Sequence, residues 1–309
     1  MSEIVLGIDI GGTNTKMGLV SQSGKLLAFE TFPTKGPKDF DEYQKELLIV
    51  AEMLCDKAKI KLKNILALGV GAPNGNGVNG FIESPPNLKH WGTFDFVTPI
   101  SELFGKKVFL ENDANVAALG EKMWGKAIDL QDFIVITLGT GIGTGVYAHN
   151  KLITASHGLA GEGGHIIIEP EGRACGCGGK GHLEVYGSVT GIKTTTKEML
   201  GEDLQFRDIF ERYMAGDKKM MEVIDQTAKY LALGLSQMGA LLCPQAFIMA
   251  GGVASLGSDF VAKIQEYYEE YVYPPFRGKT KVLLSEISTK EGAVLGAASL
   301  GFIRYKESN

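Results

Sequence analysis

The chain has 309 residues, room for two domains at about 150 residues each, so a sizeable core forms without staples. Apolar residues make up 44% and charged residues 22%, with interspersed acids and bases summing to a formal charge of −5; disordered, collagenous and nucleic-acid-binding chains are disfavoured. The departure is glycine: 41 residues, roughly 13% against a usual ~7%, with no Gly-x-y period, so the excess has to be local.

Met1-Ser2-Glu3 followed by Ile4-Val5-Leu6 offers neither a positive n-region nor a small-residue cleavage site. Ile4 to Ile10 predicts a strand that ends in Gly11-Gly12, Thr15 to Val20 a second strand and Lys25 to Phe32 a third. The apolar spacing of Phe40, Tyr43, Leu47, Leu48, Val50, Ala51 and Leu54 predicts a helix over Asp39 to Lys57, and Ile65 to Val70 a buried strand. Lys107 to Leu110 reads as another strand, and Ala114 to Trp124 as a helix just after Glu111-Asn112-Asp113. Then the opening repeats: Phe133 to Leu138 is a strand, Gly139-Thr140-Gly141-Ile142-Gly143 a glycine turn, and Thr144 to Ala148 a second strand.

After an irregular stretch from Gly158 to Gly181, helical patterns cover Leu183 to Leu200, Leu204 to Met214 and Met221 to Leu242. Ala246 to Ala250 is a strand turning at Gly251-Gly252, Phe260 to Tyr273 a helix, Lys281 to Leu284 a strand and Glu291 to Phe302 a last helix. The longest apolar stretch, Tyr230 to Ala254, is broken by Gln237, Pro244 and Gln245, so it predicts helix then strand and no membrane span. Alternating strands and helices in two similar halves make the class α/β, with domains at 1–112 plus 292–309 and at 113–291, in a cytoplasmic protein.

A glycine turn leaves backbone N–H groups uncovered, so each of the two turns is either a bare hairpin or a phosphate cradle. One polyphosphate could lie between the pair. The nearest approach to a P-loop, Gly120 to Lys126, continues with Ala127 and has no hydroxyl for magnesium. The spacings Gly75, Gly77, Gly80 and Gly176, Gly178, Gly181 do not join a strand to a helix and are chance matches to a dinucleotide fingerprint.

Asp113, where a strand meets a helix, is either a helix N-cap or a general base at the mouth of a parallel sheet. Glu162, His165, Cys175, Cys177, His182 and Glu184 crowd a glycine-rich segment. His165, Cys175, Cys177 and His182 supply four N/S donors for a structural tetrahedral Zn²⁺, against free thiols or a redox pair.

Asp9-Ile10-Gly11-Gly12-Thr13-Asn14-Thr15-Lys16 resembles the first phosphate motif of the ROK sugar kinases, within the actin-like and hexokinase-like ATPase superfamily. Leu138-Gly139-Thr140-Gly141-Ile142-Gly143 is similar to the second phosphate motif, and Ala250-Gly251-Gly252-Val253 to the adenosine motif. The resemblance implies two RNase H-like domains with an interdomain cleft, ATP and Mg²⁺ as cofactors, and ATP-dependent phosphorylation of a hexose. Glucose is the leading substrate; an N-acetylhexosamine (N-acetylmannosamine or N-acetylglucosamine), fructose or allose is the alternative.

On that resemblance Asp9 holds Mg²⁺ through water, Gly11, Gly12 and Thr13 face the γ-phosphate with Lys16 beside them, and Thr140 and Gly141 face the β-phosphate. Gly251 and Gly252 take the adenosine. Asp113 becomes the general base, and Asn112, Glu162, His165, Glu184, Asn74 and Asn87 contact the sugar. His182 stands where the family pattern carries a third cysteine, and many relatives have a glycine near Asn74. A sugar-responsive repressor of the same family, which would carry a helix-turn-helix before its first strand, and a non-catalytic sugar sensor are the non-enzyme readings. A homodimer is the expected assembly, with neither nucleic acid nor membrane as partner.

Overall fold

The computed structural model describes residues 3–37, 39–85, 91–287 and 291–308. Its contacts divide the chain into two compact units: Met1–Ile128 with Thr154–Ala160 and Ile287–Asn309, and Asp129–Ile153 with Gly161–Glu286. The expected cut after residue 112 falls inside the first unit. The helix beginning at Asp113 packs closely on the carboxy-terminal helix, where Gly120 and Gly296 meet with no side chain on either face.

The first unit is built on β1 (Ile4–Ile10), β2 (Asn14–Ser21), β3 (Leu26–Pro33), β4 (Leu68–Ala72) and β8 (Val108–Asn112), in the order β3-β2-β1-β4-β8. β2 is antiparallel to β1 and β3, while β1, β4 and β8 run parallel. Helices α1 (Phe40–Ala58), α2 (Val97–Phe104), α3 (Asp113–Trp124) and α9 (Gly292–Glu307) complete the unit, with a small sheet of β5 (Gly75–Asn76), β6 (Phe81–Ile82) and β7 (Phe94–Asp95). Leu6, Ile8 and Ile10 of β1 and Leu68 and Val70 of β4 are buried with Tyr43, Leu47 and Leu54 of α1, forming one core.

α9 packs against the sheet through small residues. A Cβ on Gly7 or Gly69 would collide with the α9 backbone at Val294 or Ala297, so two glycines of the sheet serve helix packing. Part of the glycine excess is therefore structural.

The second unit repeats the arrangement. β9 (Phe133–Leu138), β10 (Ile142–Ala148), β11 (Lys151–Leu152), β12 (Ala246–Ala250) and β13 (Lys281–Leu284) lie in the order β11-β10-β9-β12-β13. The first three strands are again antiparallel and the last two parallel to β9. The predicted strand–glycine turn–strand repeat thus holds at the level of whole sheets.

Five helices pack this unit: α4 (Glu184–Gly187), α5 (Val189–Leu200), α6 (Phe206–Met214), α7 (Lys218–Leu242) and α8 (Ser258–Tyr271). The single helix expected from Leu183 to Leu200 is two, because Ser188 adopts an extended conformation and its Oγ accepts Gly191 N–H at 3.1 Å, capping α5. Leu231, Leu235 and Met238 of α7 are buried in this unit's core, and Val294, Ala298 and Phe302 of α9 in the first unit's. α2 and the small sheet were not predicted; their elements are short and lie among glycines and prolines that mask periodicity. Among the described residues, no helix is long and apolar enough to cross a membrane.

Candidate functional site

In the first unit, the carboxyl ends of the parallel strands β1, β4 and β8 lie side by side, the end of an α/β sheet where ligands bind. β1 delivers Asp9 and the turn at Gly11, β4 leads to Asn74, and β8 ends at Asn112, next to Asp113. Gly11 N–H donates to Asn14 carbonyl at 3.0 Å, and a Cβ on Gly11 would sit 2.8 Å from that same oxygen. Only glycine closes this turn without a collision.

Asp9 faces Lys16 across the hairpin, Oδ2 to Nζ 3.5 Å, with 13% of its side chain exposed. Burial pushes its carboxyl up to about 6; Lys16 opposes the shift and the charge of Asp113 adds to it. Two carboxylates therefore share this end of the sheet, and such mutual repulsion favours a bound cation.

Asp113 is the first residue of α3, while the N-cap is Asn112, whose Oδ1 accepts Ala114 N–H at 2.9 Å. The capping role offered as the alternative for Asp113 thus belongs chiefly to its neighbour. Asp113 Oδ1 also receives that N–H, at 2.8 Å, and its side chain remains open to solvent. Surrounding protein mass raises its carboxyl above the ordinary range, against the lowering effect of the Ala114 N–H. Beneath it, buried Glu111 accepts Asn112 N–H and the Asn115 amide, each at 3.0 Å, and braces the turn.

Asn74 sits at φ 54°, a left-handed conformation that glycine or asparagine accommodates. Its amide donates to the carbonyl of Glu83 at 2.9 Å, which ties the loop after β4 to β6. Asn87 lies outside the described residues.

In the second unit the turn from Gly139 to Ile142 joins β9 to β10, and the loop after β12 runs beside it. Gly251 has φ 91°, and a Cβ there would lie 2.6 Å from the Leu138 carbonyl, so this glycine lets the expected adenosine loop abut the expected phosphate turn. The start of α5 holds the turn: Val189 N–H donates to Gly139 carbonyl at 2.9 Å, and Thr190 Oγ1 to Thr140 carbonyl at 3.0 Å.

His165, Cys175, Cys177 and His182 bring their donor atoms within 4.8 Å of one another. His165 Nδ1 lies 3.3 Å from His182 Nδ1, which lies 3.3 Å from Cys177 Sγ, and Cys175 Sγ is 3.9 Å from His165 Nδ1. Two sulfurs and two imidazole nitrogens at these separations fit tetrahedral zinc. Burial, with the nearby Cys177 and Glu184, pushes the Cys175 thiol up to about 11, a setting in which thiolates form readily only around a cation. The substitution of histidine at position 182 keeps the donor count.

The other nitrogen of His165, Nε2, faces Glu162 Oε2 at 3.8 Å, so one imidazole borders both the metal cluster and the expected sugar carboxylate. Glu162 is exposed. Glu184 is more engaged: Oε2 accepts Ile142 N–H at 3.2 Å and Oε1 receives the Cys175 thiol at 3.6 Å. Sequence reasoning missed Thr144, a buried hydroxyl that accepts Gly163 N–H at 2.8 Å and donates to the Gly161 carbonyl, fixing the Glu162 loop. A lone threonine in a strand carries no signal of that role.

The chain matches the ROK family over residues 5–302. It is 31% identical to the glucokinase of Thermotoga maritima over 96% of both chains, and 29% identical to the N-acetylmannosamine kinase of Citrobacter koseri over 96% of this chain and 97% of that one. It is also 25% identical to the xylose repressor of Caldicellulosiruptor bescii, over 96% of this chain and 77% of the repressor. Among solved structures, the ROK glucokinase of Streptomyces griseus in complex with glucose and AMPPNP superposes with a TM-score of 0.82 at 27% identity, over 97% of this chain and 99% of that one. Two mixed sheets of matching order, glycine turns at their carboxyl ends and family identity along nearly the whole length agree: the chain belongs to the ROK family.

Proposed function

We propose that this protein transfers the γ-phosphoryl group of ATP to a hexose, with glucose as substrate and the 6-hydroxyl as acceptor. The observation that carries the reading is Asp113: a solvent-open carboxylate of raised proton affinity at the carboxyl end of parallel strands, with its neighbour Asn112 capping the helix. Phosphoryl transfer needs a positioned acceptor for the hydroxyl proton and cationic or N–H donors around the phosphates. Asp113 takes the proton as the sugar oxygen bonds to the γ-phosphorus and the bond to the β–γ bridging oxygen breaks, leaving ADP.

Asp9, Gly11, Gly12, Thr13 and Lys16, with Thr140 and Gly141, are assigned to the phosphates, and Gly251 and Gly252 to the adenosine. Mg²⁺ held near Asp9 would neutralise phosphate charge. Asn74, Asn87, Asn112, Glu162, His165 and Glu184 are assigned to the sugar, whose adjacent hydroxyls suit carboxylate and amide acceptors. A structural zinc on His165, Cys175, Cys177 and His182 would hold the Glu162–His165 edge in place, with no open position for chemistry.

A panel of sugars assayed by coupled ADP release tests the reading, with glucose expected to give the highest kcat/KM. Preference for N-acetylmannosamine, N-acetylglucosamine or fructose would move the substrate and keep the reaction. No sugar-dependent ADP release would refute the kinase and favour the sensor or repressor-like reading.

A further inference from the structure

Thr15, Thr34 and Tyr43 are each fully buried, yet all three carry hydroxyls. Thr15 Oγ1 lies 2.7 Å from Tyr43 Oη and 3.0 Å from Thr34 Oγ1, so the three form one chain with Thr15 at its centre. Tyr43 comes from α1, Thr15 from the strand just after the first glycine turn, and Thr34 from the segment after β3. Thr34 N–H also donates to the carbonyl of Thr13 at 2.9 Å, inside that turn. A single buried network thus spans the turn at two points, the Thr13 carbonyl and the Thr15 side chain.

Packing alone does not ask for these hydroxyls. Tyr43 is surrounded by the rings of Phe32, Phe40 and Trp91, with centroids at 5.8, 6.4 and 4.9 Å, where phenylalanine would fit equally well. Burying a hydroxyl costs free energy unless it is partnered, and a satisfied buried network fixes geometry more narrowly than apolar contact does. The geometry this network fixes is that of Gly11 to Thr13.

We infer that Tyr43, acting through Thr15 and Thr34, is a positioning residue for the first glycine turn and so for the terminal phosphate of the nucleotide. The inference rests on the assignment of that turn to ATP and adds to it a residue on α1 that touches no substrate. Tyr43 stays neutral at all working pH values, since burial raises its phenol further and Asp9 adds to the shift. Its contribution is therefore hydrogen bonding and not charge.

The test compares Tyr43→Phe, Thr15→Val and Thr15→Ser with Leu47→Ala, a change in the same core that leaves all three hydroxyls in place. Tyr43→Phe and Thr15→Val should each raise KM for ATP about three- to tenfold, the scale of one buried hydrogen bond, with KM for sugar shifted by less than about twofold. Thr15→Ser, which keeps the hydroxyl, should restore the wild-type value. Leu47→Ala should lower the thermal midpoint more than Tyr43→Phe and leave KM for ATP near wild type.

An equal rise in KM for ATP in Leu47→Ala, or none in Tyr43→Phe and Thr15→Val, overturns the inference. Hydrogen exchange at the Gly11 and Thr34 amides provides a readout independent of turnover: both should exchange faster in Tyr43→Phe than in Leu47→Ala. If the wild type turns over no ATP, the assigned reaction fails while exchange still decides the role of Tyr43. Unchanged protection in Tyr43→Phe would then refute it.

Discussion

Glu184 occupies the space that a side chain at Gly141 would need: a Cβ built on Gly141 overlaps the Glu184 carboxylate, whose Oε2 accepts the N–H of Ile142 at 3.2 Å. The second glycine turn is thus shaped from behind by the first residue of α4, which also reaches Cys175 through Oε1.

Gly141→Ala should displace that carboxylate and deform the turn. We expect kcat/KM for ATP to fall by about tenfold or more, since small displacements of positioning groups cost that much. Glu184→Gln keeps an oxygen for the Ile142 N–H and should affect KM for sugar more than KM for ATP. Steady-state kinetics with each substrate varied separates the two.

Asp113→Asn should lower kcat by several orders of magnitude while the protein stays folded and binds sugar, because the amide cannot accept the hydroxyl proton. Isothermal titration with sugar and single-turnover assays check both halves; near-normal turnover would falsify the general-base role. Asn112→Ala, by contrast, removes the α3 cap and should cost about 1 kcal/mol of stability, largely restored by Asn112→Asp.

Asp9 links stability to pH. Its carboxyl is raised to about 6 in the folded protein against a reference of 3.8, so between these values the folded state holds the extra proton and stability falls as pH rises. Above both values the ionised, buried carboxylate destabilises the fold by roughly 3 kcal/mol, with the opposing effect of Lys16 already included in the shift. Asp9→Asn should therefore raise the thermal midpoint at neutral pH in nucleotide-free protein, with the gain vanishing below about pH 4. The same variant should lose activity, and wild-type kcat/KM should fall on acidification through about pH 6.

Metal analysis of the purified protein should find one zinc per chain, lost in a Cys175→Ser, Cys177→Ser double variant. Arg173 anchors the start of the metal loop independently: its guanidinium donates to the Val185 carbonyl at 2.8 Å, stacks over Tyr186 and pairs with Glu198. Chelation should consequently loosen the Cys175–His182 segment without unfolding the unit. Limited proteolysis confined to that segment, with the second unit's core intact, is the expected pattern.

Much of the fold is legible in the chain because its signals are local. Ile4 to Ile10 and Phe133 to Leu138 alternate or run apolar over strand lengths, each ends at a glycine turn, and the four N/S donors of the metal cluster lie close in sequence. The common order of the two sheets follows from that repeat. Side-chain roles that depend on distant partners were decided by tertiary structure alone. Gly7 and Gly69 look like any other glycines until α9 is laid on them, and the helix of Asp113 joins the first unit because Gly120 meets Gly296. Asn112 and not Asp113 caps α3 because the backbone is non-helical at Asn112 and helical from Asp113, although both side chains reach the Ala114 N–H, and the link of Tyr43 to Thr15 spans α1 and β2. Periodicity reports which face of an element is buried; it carries no information on which atoms meet there, and the chemistry of this chain depends on those meetings.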